Sequence, residues 1–266
     1  MIRLENLSLD IHGRPILREV SLDIAPGQVT GLVGESGSGK SMTALAMMGL
    51  LPRGSTVSGH AWLDGADVLA KSEREMCSLR GNRMGMIFQE PMTALNPVKT
   101  IGDQVAETLV VHGKASRREA REVARQRLAR VGLPEDRFPL SRYPHELSGG
   151  QRQRVCIAMA VALNPELLIA DEPTTALDVT TQAQILDLLK GLVEEEGMSL
   201  LLITHDLAVV AGMAAHVAVM QDGRIVEQGP TEKLFRSMEH PYTRALFAAS
   251  SHQPTRAPQT RAEPLL

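Results

Sequence analysis

Aromatic side chains are scarce in this chain, at 3% of 266 residues. So few rings exclude a surface built to stack single-stranded nucleic acid. Cysteine is nearly absent: only Cys77 and Cys156 occur, far apart in sequence. That excludes a disulfide framework and a cysteine-rich metal site, and it fits a reducing compartment. No run of 18 apolar residues exists. The best candidate, Leu200 to Met220, is broken by His205, Asp206 and His216, so no membrane span is expected. The first residues, Met1-Ile2-Arg3-Leu4-Glu5-Asn6, carry charge where a signal peptide would be apolar. Neither sign of charge dominates. The net charge of −3 gives no global attraction to nucleic acid or anionic lipid. What remains is an ordinary soluble composition, 43% hydrophobic and 22% charged, long enough for one large α/β domain or a core with a smaller insert.

Against that plain background one stretch stands out: Gly34-Glu35-Ser36-Gly37-Ser38-Gly39-Lys40-Ser41. It fits G-x-x-x-x-G-K-[ST], a loop that cradles phosphates. Val29 to Val33 before it reads as a buried strand, and Met42 to Met48 after it as a helix. The glycines let backbone N–H groups converge on phosphate oxygens, and the helix start adds the positive end of its dipole. Lys40 reaches the β- and γ-phosphates as a point charge, and the Ser41 hydroxyl suits Mg2+. The ligands expected here are ATP and Mg2+.

The rest of the chain supplies a setting. Ile2 to Asp10 and Val20 to Ile24 alternate with period 2 and are joined by a turn at His12-Gly13-Arg14-Pro15, which predicts an antiparallel layer. Gly59 to Leu63 and Met84 to Phe88 read as further strands, the latter running into Gln89-Glu90, with Pro91 expected to end regular structure. From about Ile101 to Val161 the pattern is helical. Arg117 to Arg130 places Ala120, Val123, Ala124 and Leu128 on one face. Its six arginines read as a solvated face, with Arg118 and Glu122 set for an i,i+4 pair, because no aromatics interleave. Thr180 to Glu196 is an amphipathic helix, and Val217 to Met220 with Arg224 to Glu227 form a hairpin. Alternating buried strands and helices predict a mainly parallel sheet with ligands at the strand C-terminal ends.

Several chemical residues fall at those ends. Leu167-Leu168-Ile169-Ala170 runs into Asp171-Glu172. Asp171 is placed around Mg2+, touching the ion's outer shell or one of its waters. Glu172 is the general base for an attacking water. His205 follows the strand Ser199 to Ile203 and can donate to a γ-phosphate oxygen while holding water and Glu172 in register. Gln89 can touch Mg2+ or the water. Leu147-Ser148-Gly149-Gly150-Gln151 opens a helix with a second anion-friendly terminus. One chain hardly needs two such surfaces for one nucleotide. A head-to-tail dimer is therefore expected, with Ser148, Gly149, Gly150 and Gln151 of each chain closing over the ATP of the other.

The order of these stretches, with Ala176-Leu177-Asp178 between the last two strands, resembles the ATP-binding subunit of ABC transporters. The resemblance covers about residues 1–245. It identifies Walker A, Q-loop, signature, Walker B, D-loop and switch histidine, all complete, and so implies a hydrolytically competent subunit. It implies an α/β P-loop NTPase core with a mainly parallel sheet, an N-terminal antiparallel β layer and an inserted helical subdomain. The expected division is a core of residues 1–88 and 159–249, a helical signature subdomain of 89–158, and a flexible tail of 250–266. Phe88 to Pro97 and Glu239-His240-Pro241-Tyr242-Thr243 look like marks of the dipeptide, oligopeptide and nickel importer branch. Peptide importers there often carry a longer, cysteine-bearing extension; its absence here tilts the expectation toward a short nickel-type or divergent peptide subunit. The family stacks adenine on an aromatic residue about 25–30 positions before the Walker lysine. No aromatic occurs before Trp62, which leaves His12 as the candidate. The implied partners are two permease subunits, a second and related ATPase, and, indirectly, an extracytoplasmic solute-binding protein, with this chain peripheral on the cytoplasmic face of the membrane. An exporter ATPase is the alternative on the core motifs alone. A DNA-repair ATPase would need long coiled coils, and a translation-associated protein two cassettes.

Overall fold

The computed structural model describes residues 2–251. Two sheets are stacked, and helices cover the far side of the second. The first sheet holds β1 (Ile2–Ile11), β2 (Arg14–Ile24), β4 (Ser55–Leu63) and β5 (Ala66–Asp67), in the order β2-β1-β4-β5 and antiparallel throughout. The second holds β3 (Val29–Val33), β6 (Met84–Ile87), β7 (Leu167–Asp171), β8 (Ser199–Thr204), β9 (His216–Gln221) and β10 (Arg224–Pro230). Its order is β10-β9-β3-β8-β7-β6, parallel except for the edge strand β10.

The hydrophobic pattern explains the layering. β7, β8 and β9 are near-continuous apolar runs because both of their faces are covered. Ile169, Leu201, Ile203, Ala218 and Met220 face the first sheet and pack with Leu4, Leu7, Leu22 and Leu63. The alternate residues Leu168, Ala170, Leu200, Leu202, Val217 and Val219 face the helices. β1 alternates as expected except around Asn6, which takes a left-handed φ of 49°, and its pairing with β2 shifts register between Leu4 and Leu7, Leu7 and Leu9, and Leu9 and Asp10. β2 begins at Arg14, earlier than the predicted Val20, so Arg14 and Pro15 belong to a strand and the turn is His12-Gly13 alone. The same left-handed X-Gly turn closes the β4–β5 and β9–β10 hairpins, at Asp64-Gly65 and Asp222-Gly223.

Helix α1 (Lys40–Met47) packs Ala44, Ala46 and Met47 into the cluster between the sheets. α2 (Glu73–Leu79) follows β5. Pro91 does not end regular structure but stands at the first turn of a short helix, α3 (Pro91–Ala94), where a missing N–H costs nothing. α4 (Ile101–Val111), α5 (Arg117–Arg130) and α6 (Gly149–Ala160) make up the helical region. α5 buries Ala120, Ala124 and Leu128 as predicted. Arg117, Arg118, Arg121 and Arg125 are exposed as expected, but Arg127 and Arg130 are half-buried and pair with Glu196 and Glu195, and Glu122 pairs with Arg125 rather than Arg118. α7 (Val179–Glu196) and α8 (Leu207–Met213) cover the sheet. α9 (Thr231–Ser237) and α10 (Pro241–Ser251) complete the described chain. The helix thus includes the first two residues assigned by sequence to the tail, and the remainder of that tail lies outside the described residues. Among the described residues no helix is long and apolar enough to cross a membrane.

Candidate functional site

The register of the parallel sheet brings the chemical residues to one edge. Val33 pairs with Thr204, Asp171 with Ile203, and Ile87 with Ala170. The residues that follow these partners are Gly34, His205, Glu172 and, one further on, Gln89. All four therefore leave the sheet at the same end, where an open α/β sheet receives its ligand.

The phosphate loop connects β3 to α1. Gly34 is required by space: a Cβ there would sit 2.2 Å from the Met220 carbonyl oxygen. Gly39 has φ +110°, and a Cβ would press on Leu17 and Met220. The loop is bound to both sheets through the β9–β10 turn. The Gly223 N–H donates to the Ser38 carbonyl (2.9 Å), and the Arg18 N–H of β2 donates to the Gly223 carbonyl (2.8 Å). Lys40 is buried, and its Nζ donates to the carbonyls of Gly34 and Glu35, each at 2.8 Å. Burial pushes the Lys40 ammonium down from its ordinary pKa, and the charges of Glu172, Asp171 and Glu35 pull it back up. Glu35, Ser36 and Gly37 are exposed, while Ser38 is buried.

Beside the loop lies Asp171. Burial raises its pKa; the Ser41 hydroxyl and the Lys40 ammonium oppose this, and the Glu172 charge adds to it. Its Oδ1 is buried and makes no hydrogen bond. An oxygen stripped of water and left without a donor is a fitting ligand for a hard cation, and Ser41 stands next to it. The residues present thus fit Mg2+.

Glu172 adopts a left-handed φ of 46°, which takes its side chain away from the line of β7. Its N–H donates to the Ile203 carbonyl at 2.9 Å, which holds the turn. Three groups converge on the carboxylate. Gln89 Nε2 donates to Oε2 at 3.1 Å, the Thr175 hydroxyl to the same oxygen at 2.8 Å, and His205 Nδ1 meets Oε1 at 3.3 Å. Glu172 is 15% exposed and His205 64%, so the carboxylate is fixed at the floor while the imidazole remains open to a ligand. Sequence reasoning brought Glu172, His205 and Gln89 to this edge but missed Thr175, whose contact requires the left-handed turn.

Ser148 to Gln151 stands at the start of α6. The Ser148 hydroxyl accepts from the Gln151 N–H, and Gln151 Oε1 accepts from the Ser148 N–H (2.9 Å), a closed capping box. This start lies against α7: a Cβ on Gly150 would meet Thr181 Cγ2 at 2.5 Å. His12 sits in the β1–β2 turn, exposed, with its ring against Gly54. Tyr242, which the sequence marked only as part of the stretch Glu239 to Thr243, also reaches the loop. The Tyr242 hydroxyl of α10 accepts from the Glu35 N–H at 3.1 Å.

Comparison with known proteins agrees with this geometry. The pattern described as ABC transporter matches residues 17–175. A Brucella melitensis protein named for peptide import ATP binding is 55% identical over 238 residues, 87% of this chain and 70% of that protein. The peptidoglycan transport ATP-binding protein YejF of Agrobacterium fabrum is 55% identical over 86% of this chain and 42% of its own length. The glutathione import ATP-binding protein GsiA of Escherichia coli is 50% identical over 94% of this chain and 42% of its own length. Among solved structures, a dimeric ATP-binding cassette in a post-hydrolysis state with ADP and Pi has a TM-score of 0.76 at 32% identity, covering 87% of this chain and 99% of that one. The chain belongs to the ABC transporter family, as an ATP-hydrolysing subunit.

Proposed function

We propose that the chain energises the import of peptides through a membrane permease. The observation that carries the catalytic part is the convergence of Gln89, Thr175 and His205 on Glu172, at the sheet edge that also bears the phosphate loop. Gly34 to Ser41 hold the phosphates of ATP, with Lys40 facing the β- and γ-phosphates. Glu172 takes the proton of the attacking water, and its three partners fix the carboxylate's direction. His205, open to solvent, would also donate to a γ-phosphate oxygen through its other ring nitrogen, with both ring nitrogens protonated. Ser41 and Asp171 would hold Mg2+, with Gln89 as a further contact; the ion supplies positive charge against the phosphates. His12 is assigned to the adenine, and the ATP affinity of His12→Ala tests it.

The site is completed by a second chain. Ser148, Gly149, Gly150 and Gln151 would close over the ATP of the partner ATPase, a related but different chain, in a head-to-tail pair. Residues 1–88 and 159–249 would move as the core and 89–158 as the helical subdomain. Beside Gln89, partly exposed Phe88 opens on a cavity of about 280 Å3, mostly apolar, that Met48, Met86, Cys156 and Met159 also line. A permease helix would bury its apolar face there; the implied partners are two permease subunits, with the chain peripheral on the cytoplasmic face of the membrane. A solute-binding protein would act upstream.

The names of the relatives support peptides as the solute class. The test is whole-cell uptake in a strain carrying only Glu172→Gln, with a labelled dipeptide and labelled nickel in parallel. Loss of dipeptide uptake alone is expected. Loss of nickel uptake alone would reassign the solute, and no change in either would overturn the importer reading.

A further inference from the structure

The peptide plane between Gly34 and Glu35 is held from both sides. Its carbonyl, that of Gly34, accepts from Lys40 Nζ at 2.8 Å. Its N–H, that of Glu35, donates to the Tyr242 hydroxyl at 3.1 Å. The two groups of a trans peptide point in opposite directions, so fixing one fixes the other. A rotation of this plane would turn the carbonyl away from the ammonium. The next carbonyl, of Glu35, accepts from both Lys40 Nζ (2.8 Å) and the Ser38 N–H (3.2 Å), so the rotation would disturb the rest of the loop.

Tyr242 is itself firmly placed. It packs against the cluster beneath the helices, together with Phe235 and Leu246. The start of α10 is clamped by Glu227 of β10, whose carboxylate accepts from the N–H groups of Glu239 (2.8 Å) and His240 (3.1 Å). His240 Nδ1 accepts from the Tyr242 N–H at 3.2 Å, and Arg244 donates to the carbonyls of Met238 and Glu239, each at 2.8 Å. Burial pushes the Tyr242 phenol up from its ordinary pKa, so the hydroxyl stays neutral at working pH.

We propose that Tyr242 is a positioning residue for nucleotide binding, which holds the Gly34–Glu35 peptide so that Lys40 is set for the phosphates and thereby couples α10 to the loaded state of the phosphate loop. The proposal rests on the ATP-binding reading above. Coupling between two sites is reciprocal. If α10 improves ATP binding, ATP must tighten α10.

The experiment compares the full chain with Tyr242→Phe, which removes the hydroxyl and keeps the ring packing. A single hydrogen bond of this kind corresponds to a factor of about 3–10 in affinity. ATP affinity by calorimetry is expected to weaken by that factor. KM for ATP in the assembled transporter is expected to rise likewise, with kcat little changed and the melting temperature preserved. Amide exchange in residues 242–249 is expected to slow on adding ATP to the unaltered chain, and to slow much less in Tyr242→Phe. Unchanged ATP affinity together with unchanged exchange would overturn the coupling while leaving the ATPase intact. A lower melting temperature with an unchanged KM would reduce Tyr242 to a packing residue. No ATP binding by the unaltered chain would remove both this proposal and the reading it rests on.

Discussion

Glu172 is held by hydrogen bonds through both of its oxygens, at the end of a strand whose other side chains are buried. Glu172→Gln keeps the size of the side chain but removes its capacity to take a proton. Hydrolysis is expected to fall by at least about 10²-fold, with ATP affinity retained. Single-turnover hydrolysis with parallel ATP titration checks it, and a rate within a few-fold of the unaltered chain would overturn the base role. Asp171, one position earlier, behaves differently because it is buried. Burial raises its pKa, so protons compete with Mg2+ in a pH window higher than at an exposed aspartate. The apparent Mg2+ affinity of the ATPase is expected to weaken as pH falls through that window. In Asp171→Asn it is expected to be weak and flat with pH. Metal-free stability follows the opposite slope. The folded state favours the protonated acid, so stability is lost as pH rises from the unfolded value through the raised folded one. The place of both carboxylates at the sheet edge was legible from sequence, because they directly follow a run of four apolar residues; what separates their side chains is the left-handed turn at Glu172. The contacts of Thr175 and Tyr242 were not legible, since a left-handed turn and a separation of 207 positions leave no local pattern.

At the scale of elements, the apolar runs of β7, β8 and β9 announced a sheet covered on both faces, and the loop before α1 announced its own strand and helix. What remained hidden was set by tertiary contact. β2 extends back to Arg14 because it pairs with β1 to the very turn, although Arg14, Pro15, Arg18 and Glu19 break the apolar alternation. Glu122 chose Arg125 because helix-surface partners at i+3 and i+4 are nearly equivalent, and spacing alone does not decide between them. Pro91 read as a terminator and serves as a first turn, since the same missing N–H suits both. One element contact lends itself to measurement. Gly85 of β6 lies under the end of α6, and a Cβ there would sit 2.4 Å from the Ala160 carbonyl oxygen. Backbone cannot yield as a flexible side chain does, so Gly85→Ala forces the strand and helix apart at a cost of about 1–3 kcal/mol. The melting temperature is expected to fall by about 2–12 °C. Because β6 delivers Gln89 to Glu172, hydrolysis is expected to fall as well. An unchanged melting curve would show that the joint relaxes freely.

At the scale of the whole molecule, the chain carries two anion-friendly helix starts, at α1 and at α6. The capping box at Ser148 uses the N–H groups of Ser148 and Gln151, and the N–H groups of Gly149 and Gly150 have no partner within an α-helix. Beside them, at the start of α7, Val179 is 81% exposed, an apolar side chain set at the rim of a polar site. A second ATPase chain would cover both features by bringing its own bound ATP to Ser148. Glu172→Gln should trap that pair, because ATP then binds without being consumed. Light scattering is expected to show the mass of a pair when this variant and ATP are mixed with the related ATPase of the same transporter, and single chains with ADP. Adding Ser148→Arg places a bulky side chain against the incoming nucleotide and is expected to abolish the pair at that site. A pair formed by this chain alone would mean that two identical chains build the sites. Single chains under every condition, with and without the related ATPase, would overturn head-to-tail closure and leave the α6 start without its nucleotide.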